Sequence, residues 1–256
     1  MIELKIRQSA HARVNKLTTD RWRLWIDAGP AGQYRWAQLD DYLNLRREHF
    51  YWEIPFCLTL RARISTHDIP GTWGFGFWND PFSTSLRLTK GTVRRLPSLP
   101  QAAWFFYASP PNYLALRDTH PAQGMLMASF SSWRLPTPLL FPCIFTLPLF
   151  LIRPAARLLR RLAQLIIADD AGRTDIDLTC WHFYRLECQK TAVNFYVDNR
   201  LYFETAIVPR GKLGLVIWID NQYLAFTPDG ALRAGTLETS EDAWLEVEGI
   251  AVSKNC

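Results

Sequence analysis

The chain has 256 residues, of which 48% are hydrophobic and 21% are charged, and its formal net charge is +5. This composition is typical of a globular protein with a sizeable core, and we predict a single domain over residues 1–256. Because the basic residues are spread along the chain and form no stripe with aromatic side chains, nucleic-acid binding is not expected.

The start of the chain and its cysteines indicate where the protein is expected to be located and whether it is expected to bind a metal. Residues 1–6 contain no long apolar segment after a basic end, as a secretory signal would. The five cysteines include no CxxC pair, and no His, Cys and Asp cluster has the spacing of metal ligands. We therefore expect a cytoplasmic protein with reduced thiols, and we predict no metal and no cofactor.

Several segments show the alternation of half-buried β-strands. Apolar and polar side chains alternate over residues 2–6, 56–64 and 245–249, with the apolar set on one face. Strands at both ends of the chain favour a sandwich whose termini meet in one sheet. Further strands, rich in aromatic residues and bounded by turn residues, are predicted over residues 72–78, 103–108, 125–130 and 180–188.

A hairpin and a following strand complete the predicted β-structure. Residues 193–197 and 201–204 flank Asp198-Asn199-Arg200, whose Asp and Asn tolerate the positive φ of a tight turn. Residues 213–219 follow the turn sequence Pro209-Arg210-Gly211. So many short strands predict a mainly β fold, a two-sheet antiparallel jelly-roll sandwich.

The segment from about residue 135 to 170 departs from this pattern and is predicted to be an apolar helical insertion. Residues 135–152 carry no charge, but four prolines rule out one continuous membrane-spanning helix there. Residues 153–170 read as a basic amphipathic helix with a stripe formed by Leu158, Leu162, Leu165 and Ile166. Three roles stay open for the insertion: a lid over an apolar cavity, an interface between copies of the chain, or a contact with a membrane surface.

Two stretches resemble a known family. Trp181-His-Phe-Tyr-Arg-Leu-Glu-Cys188, followed by Phe195-Tyr-Val-Asp-Asn199, is similar to the W-H-x-Y-x-x-E-W … F-Y-V-D-G run of family-16 glycoside hydrolases. The run Gly71–Phe82 resembles a sheet strand of the same concanavalin A-like lectin/glucanase superfamily. The resemblance implies a concanavalin-like sandwich with a ligand groove over one sheet.

The catalytic motif of that family is not found in this chain. Its hydrolases carry an E-x-D-x-(x)-E strand, which places two carboxylates on one face at the separation that a retaining mechanism needs. The nearest strings here are Asp175-Ile-Asp177 and Glu246-Val-Glu248, and both are predicted to be solvated strand faces. The resemblance therefore implies the fold and the groove, and it does not imply ordinary hydrolysis.

Candidate ligand residues come from strands that place aromatic and polar side chains on one face. Trp78 and Asp80 alternate with Trp73 and Asn79 in the glycine-aromatic run, and a shift of one residue would exchange the two faces. In residues 213–223, Trp218 and Asp220 share a face with Gln222. Predicted ligand contacts are Trp73, Trp78, Asn79, Trp104, Tyr107, Trp218, Asn221, Gln222 and Tyr223. Asp80, Asp220 and His182 are the candidate acids and bases.

These observations lead to one main functional hypothesis and two alternatives. The main one is that the groove binds a largely apolar or amphiphilic small molecule beneath the insertion, with non-hydrolytic chemistry of isomerase, lyase or cyclase type as an option. The first alternative is a carbohydrate-binding or glycoside hydrolase-like protein, because aromatic side chains also stack on sugars. The second is a peripheral membrane protein, and a homo-oligomer through the insertion also stays open.

Overall fold

The computed structural model describes residues 3–81, 95, 98–133, 149–150 and 152–254. Within this part of the chain the structure contains one α-helix, α1 (Arg153–Ile166), and a short 3₁₀ helix at Arg47–His49. The strands are β1 Lys5–Gln8, β2 Ala12–Lys16, β3 Arg21–Ile26, β4 Trp36–Asp40, β5 Phe56–Ile64, β6 Thr72–Trp78, β7 Ala102–Ala108, β8 Gly124–Ser132, β9 Ile167–Thr174, β10 His182–Cys188, β11 Val193–Val197, β12 Arg200–Thr205, β13 Gly214–Asp220, β14 Gln222–Phe226, β15 Leu232–Thr236 and β16 Ala243–Ser253.

The strands form two seven-stranded antiparallel sheets and one small hairpin. The front sheet has the order β1-β4-β13-β6-β7-β8-β9, and the back sheet has the order β12-β11-β10-β5-β16-β3-β2. Strands β14 and β15 pair with each other, and β14 also forms an isolated parallel bridge with Tyr113. The predicted mainly β, two-sheet antiparallel sandwich with one helix is therefore confirmed.

The core lies between the two sheets, where alternate side chains of each strand meet. On β5 the predicted apolar face is buried, with Phe56 through Ile64 in steps of two. On β6, Trp73, Phe75 and Phe77 point into the same core. Rings from opposite sheets are in contact, as where Phe75 meets Tyr184 at a centroid separation of 5.0 Å. Period-2 alternation thus identified the core face of both strands correctly.

The two ends of the chain differ from the expectation that they meet in one sheet. Strand β1 belongs to the front sheet, whereas β16 lies in the back sheet between β5 and β3. Ile6 lies opposite the core residue Leu39 but is exposed, because β1 is the edge strand and nothing in the described chain packs over it. Its alternation was real, but alternation does not show which sheet a strand joins.

Glu246 corrects a second expectation, since it was predicted to be solvated. Its side chain is only 1% exposed, because Arg23 of β3 and Arg63 of β5 close over it from the two neighbouring strands. Arg23 Nε donates to one carboxylate oxygen at 2.8 Å and Arg63 Nε to the other at 2.9 Å. Both guanidinium groups also lie over the ring of Trp244.

The predicted amphipathic helix ends earlier than expected, and its apolar face is turned toward solvent and not toward the protein. Helix α1 stops at Ile166, and residues 167–174 continue as β9, which pairs with β8. The leucines of the predicted apolar stripe are exposed, whereas Arg160 is buried. Most of the uncharged half of the insertion, residues 135–148 and 151, lies outside the described residues. No helix in the described chain combines the length and apolar character needed to cross a membrane.

Candidate functional site

The outer face of the front sheet carries a continuous group of aromatic side chains. Alternate residues of β6, β7, β8 and β13 point away from the core on this face. The ring of Trp218 packs against Trp104 at 5.6 Å and lies nearly parallel to Phe106 at 5.8 Å. Trp78 and Phe130 extend the group on the other side of Trp104. The sheet therefore has a second apolar surface opposite the core.

Two glycines of β6 make room for these rings. A Cβ atom on Gly74 would lie 2.8 Å from Cη2 of Trp218, and one on Gly76 would lie 2.6 Å from Cβ of Trp104. Contacts that short do not occur between real side chains, so the ring of Trp218 lies directly over Gly74 and the backbone of Trp104 lies directly beside Gly76. The glycine-aromatic run predicted a close approach at this strand, and the approaching groups are the backbone of β7 and the indole of Trp218.

This face is open at one end and closed in the middle. Trp104 is 9% exposed and Phe106 only 5%. Toward the edge formed by β4 and β1, Tyr34 is 46% exposed and Trp36 is half-buried. Their rings stack, with centroids 6.2 Å apart and an interplanar angle of 26°. We call this exposed pair the Tyr34–Trp36 platform.

Polar groups border the platform at the end of β13. The Asp220 carboxylate accepts hydrogen bonds from Thr72 Oγ1 at 2.9 Å and from the Gln222 amide at 3.1 Å. The Tyr34 hydroxyl lies 3.5 Å from its other oxygen. Trp218 Nε1 donates to Thr72 Oγ1 at 3.0 Å, which ties the aromatic group to the acid. Burial raises the pKa of Asp220 to about 7, although these hydrogen bonds oppose the shift.

A second polar group follows along β4, on the same face as Trp36. Gln38 Nε2 donates to Asp40 at 2.8 Å and lies 3.3 Å from the Tyr42 hydroxyl. Arg7 of β1 lies over the Trp36 ring at 5.5 Å and reaches Asp40 at 3.7 Å. Asp40 itself is fully buried, and burial raises its pKa. Gln38 and Arg7 are therefore the polar neighbours of the platform on this side.

The structure does not bring the three predicted acid-base residues together. Asp220 lies on the outer face of the front sheet. Asp80 is buried and forms a 2.6 Å ion pair with Arg95, so its carboxylate has a structural partner. His182 belongs to the back sheet, where Nδ1 lies 2.7 Å from Asp198 and Nε2 lies 2.8 Å from the Asp177 carbonyl. Only Asp220 is placed where a ligand on the aromatic face would meet it.

Four of the predicted ligand residues serve the fold instead. Trp73 and Tyr107 stack on each other at 5.6 Å inside the core, because they point to the inner face of β6 and β7. Asn79 is buried, and its amide donates to Ser98 and to the Leu99 carbonyl. Asn221 is fully buried and donates to the carbonyls of Gln33 and Leu237, which holds the loop that carries Tyr34.

The other predicted ligand residues lie on or beside the aromatic face. Trp78, Trp104 and Trp218 belong to it, although the Trp78 indole already donates to the Tyr42 hydroxyl at 2.6 Å. Gln222 is exposed two residues after Asp220. Tyr223 packs against Gly235 within the β14–β15 hairpin. Trp218 and Gln222 are thus the predicted contacts that lie nearest to the open end.

The platform residues were missed in the sequence, although a signal was present. Trp36, Gln38 and Asp40 alternate with the apolar residues Ala37 and Leu39, which is the period of a half-buried strand. That alternation would have placed Trp36 and Gln38 on one face. Their proximity to Trp218 and Asp220 depends on the pairing of β4 with β13, about 180 residues away in sequence, which no local pattern reveals.

Asp220 and Asp40 are too far apart for a glycosidase pair. Asp220 lies opposite Trp36 and Asp40 lies opposite Val216, so four residues of strand separate the two acids. At roughly 3.3 Å per residue the offset is about 13 Å. Retaining and inverting glycosidases hold their carboxyl groups about 5 to 9.5 Å apart. Asp220 can therefore supply one acid-base group beside a bound ligand, and Asp40 does not form a glycosidase pair with it.

Cavities occur elsewhere in the molecule. Two of them, of about 430 Å³ and about 690 Å³, both include Trp133 in their lining, and neither includes Asp220. Within the described residues, no group of three His, Cys, Asp or Glu side chains is arranged to hold a metal ion. The Tyr34–Trp36 platform is an open surface and not a cavity. It is a candidate ligand site because its rings are exposed and polar side chains lie beside them.

Some solved structures resemble this chain at low sequence identity. No family model and no curated protein matches the sequence. Among solved structures, a family-16 glycoside hydrolase from Bacteroides ovatus has a TM-score of 0.48 at 8% identity, over 98% of this chain and 94% of that one. A glycoside hydrolase family protein from Mycobacterium thermorestibile has 0.48 at 10% identity, over 91% and 76%. A legume lectin-like domain from Entamoeba histolytica has 0.46 at 7% identity, over 99% and 90%. The chain is similar to these proteins in overall fold.

Proposed function

We propose that this protein binds carbohydrate on the open end of the front sheet, at the Tyr34–Trp36 platform. The observation that carries the proposal is the stacked, solvent-accessible pair of rings directly beside hydrogen-bonding side chains. The exposed part of this stacked pair offers apolar aromatic surface that suits the faces of sugar rings. Gln38, Gln222 and Asp220 surround that surface and can exchange hydrogen bonds with hydroxyl groups.

The chemistry of the site favours binding over hydrolysis. Asp220 is the only carboxylate beside the platform in the described residues, and the next one on β4 is buried and about 13 Å along the strand. A bond-cleaving site needs a second acid or base at short range. With a pKa of about 7, Asp220 can donate a hydrogen bond to a sugar hydroxyl when it is protonated and accept one when it is ionised.

The predicted enclosed, apolar ligand is not supported by the helical half of the insertion. The leucines of α1 face solvent and not a cavity beneath the helix. The middle of the aromatic face is occupied by contacts among Trp104, Phe106 and Trp218 themselves. A ligand bound in the middle of this face would have to displace these rings, whereas a sugar chain can lie on the platform without such a change.

The proposal is tested by affinity electrophoresis of the full chain through gels that contain soluble polysaccharides. We expect retardation by at least one neutral polysaccharide, and loss of that retardation in Tyr34→Ala and Trp36→Ala. Removing one stacking ring should weaken binding about tenfold. Tyr51→Ala is the matched control, because Tyr51 is also an exposed aromatic residue and lies outside the platform.

Two results would contradict the proposal. One is that no polysaccharide retards the wild-type protein. The other is that the two platform variants are retarded as strongly as Tyr51→Ala. Circular dichroism of each variant establishes that the sandwich is intact, which is expected because Tyr34 and Trp36 lie outside the main core.

A further inference from the structure

Helix α1 presents to solvent a surface that the proposed sugar site does not use. Leu158, Leu162 and Leu165 lie on one side of the helix and are 57%, 46% and 71% exposed. Spacings of three and four residues place them in one row. Ile152, just before the helix, is also exposed. Such a row of large apolar side chains is uncommon on a protein surface and marks a contact site.

A row of positive charge runs beside the leucines. Arg153, Arg157 and Arg161 follow each other at intervals of four residues and are all exposed. The helix contains no acidic residue. Arg153 lies 3.9 Å from Asp229, whereas no described carboxylate lies within 4.0 Å of Arg157 or Arg161. The outer surface of α1 is therefore half apolar and half cationic along its whole length.

The inner surface of α1 fixes this orientation. Arg160 is buried, and its guanidinium donates to the Phe226 carbonyl at 2.6 Å, to the Ala115 carbonyl at 2.8 Å and to Asp118 at 2.8 Å. Ala156, one turn earlier, is fully buried and lets the helix approach closely. Because a charged side chain anchors the helix inward, the leucines cannot turn to the core without breaking these bonds.

The surface beyond the C-terminal end of the helix is also cationic. The cavity of about 690 Å³ is lined by Leu165 and Trp133 together with Arg117, Lys190 and Arg210, and no carboxylate is among its described lining residues. Trp133 is 63% exposed and its amide donates to the Ile166 carbonyl, so it continues the apolar row. Arg117 is partly compensated by Asp169 at 3.5 Å. Lys190 and Arg210 add two further exposed cations.

We infer that this surface binds an anionic lipid bilayer, with α1 lying in the plane of the interface. The leucine row and Trp133 would enter the boundary between headgroups and acyl chains, while the arginine row would face acidic headgroups. A tryptophan beside the apolar row suits that boundary, because its ring has an apolar body and one N–H donor. The inference is independent of sugar binding, since it concerns residues outside the platform.

The test is flotation of the full chain with vesicles. Wild-type protein should float with vesicles of equal parts phosphatidylcholine and phosphatidylserine, and it should bind pure phosphatidylcholine vesicles much more weakly. In the triple variant Leu158→Ser, Leu162→Ser, Leu165→Ser, the partition coefficient should fall about tenfold for each leucine removed. Only the part of each side chain that is exposed in the free protein can leave water on binding, which limits the loss to this size. Arg157→Gln with Arg161→Gln should lose about 25-fold, roughly fivefold for each charge, and only on the phosphatidylserine vesicles.

A matched control separates lipid binding from general loss of surface apolarity. Ile6, Leu17 and Leu201 are exposed to a similar degree elsewhere on the molecule. Their triple serine variant should float as the wild type does, and circular dichroism should show both triple variants folded. The inference is overturned if the wild type stays unbound on phosphatidylserine vesicles or if the α1 leucine variant still floats. It is also overturned if light scattering shows a wild-type dimer that this variant dissociates, since the surface would then join two copies of the chain.

Discussion

The buried carboxylate of Glu246 gives a prediction whose size can be worked from the structure. Replacing Glu246 by Gln removes the negative charge between Arg23 and Arg63 but keeps nearly the same volume. At most one of the two arginines then retains an acceptor of comparable strength, because the amide nitrogen of glutamine donates and does not accept. The local result is two like charges on the strands that flank β16, with no negative charge between them.

The expected cost follows from the exposure of the partners. Breaking a fully buried ion pair costs about 3–5 kcal/mol, but Arg23 and Arg63 remain about one-third exposed and can regain water. We therefore expect a loss of about 2 kcal/mol in the free energy of unfolding. For a chain of this size, that corresponds to a fall in melting temperature of about 4–8 °C.

The assay is thermal unfolding followed by circular dichroism, with Glu248→Gln as the matched variant. Glu248 lies two residues along β16, pairs with Arg21 and Arg61, and is more exposed than Glu246. Its substitution should cost less than half as much, because its partners are more accessible to solvent. Equal melting temperatures for wild type and Glu246→Gln would refute the reasoning that burial makes this carboxylate important.

Three further changes probe the site and its supports. Asp220→Asn should change the pH dependence of stability: a pKa of about 7 in the folded state means that the native protein holds this proton between about pH 4 and 7, so wild-type stability falls as pH rises through that range. Between pH 5 and pH 8, the free energy of unfolding should fall by about 1–2 kcal/mol less in the variant than in the wild type, as measured by urea unfolding. Equal falls in the two proteins would contradict the assignment of the raised pKa to Asp220. Gly74→Ala should destabilise by about 1–3 kcal/mol, because its Cβ would lie 2.4 Å from the Phe105 carbonyl oxygen, and an unchanged melting temperature would show that the strands can separate there. Arg160→Met should leave the carbonyls of Phe226 and Ala115 without their donor, which should lower the free energy of unfolding by about 2 kcal/mol. Amide hydrogen exchange across α1 should then accelerate. Unchanged exchange rates would mean that other contacts hold the helix in place.

The strands were predictable wherever alternation was clean, but their partners were not. Residues 72–78 form β6 as predicted, and the hairpin around Asp198 and Asn199 has the positive φ values that its residues allow. By contrast, residues 167–170 were expected to continue α1. They form a strand because β8 pairs with them, and a pairing partner distant in sequence is invisible to a local period.

Amphipathicity identified the two sides of α1 but not their directions. An apolar stripe is normally the buried one, yet here Ala156 and Arg160 face the protein. The reversal depends on carbonyl groups of Ala115 and Phe226, which lie on other elements and accept the guanidinium hydrogen bonds. These acceptors cannot be inferred from the sequence of the helix alone.

The site was predicted only in part, for a similar reason. Trp218 and Asp220 could be placed on one face from the strand period, and the structure puts both beside the platform. Asp80 and Asn79 are residue types that suit a ligand site, but each binds a structural partner from later in the chain. Asp80 pairs with Arg95, and Asn79 accepts a hydrogen bond from the Gln101 amide. Tyr34 stands in a loop without periodicity, so its stacking on Trp36 could be seen only in three dimensions.

The central claim, that sugar binds at the Tyr34–Trp36 platform, is tested most directly by hydroxyl-radical footprinting with and without a retained oligosaccharide. Mass spectrometry of the digested protein reports oxidation at each aromatic residue. The account predicts that the sugar reduces oxidation of Tyr34 and Trp36 and leaves the exposed residues Tyr51 and Trp133 unchanged. Protection at Tyr51 or Trp133 with none at the platform would contradict it.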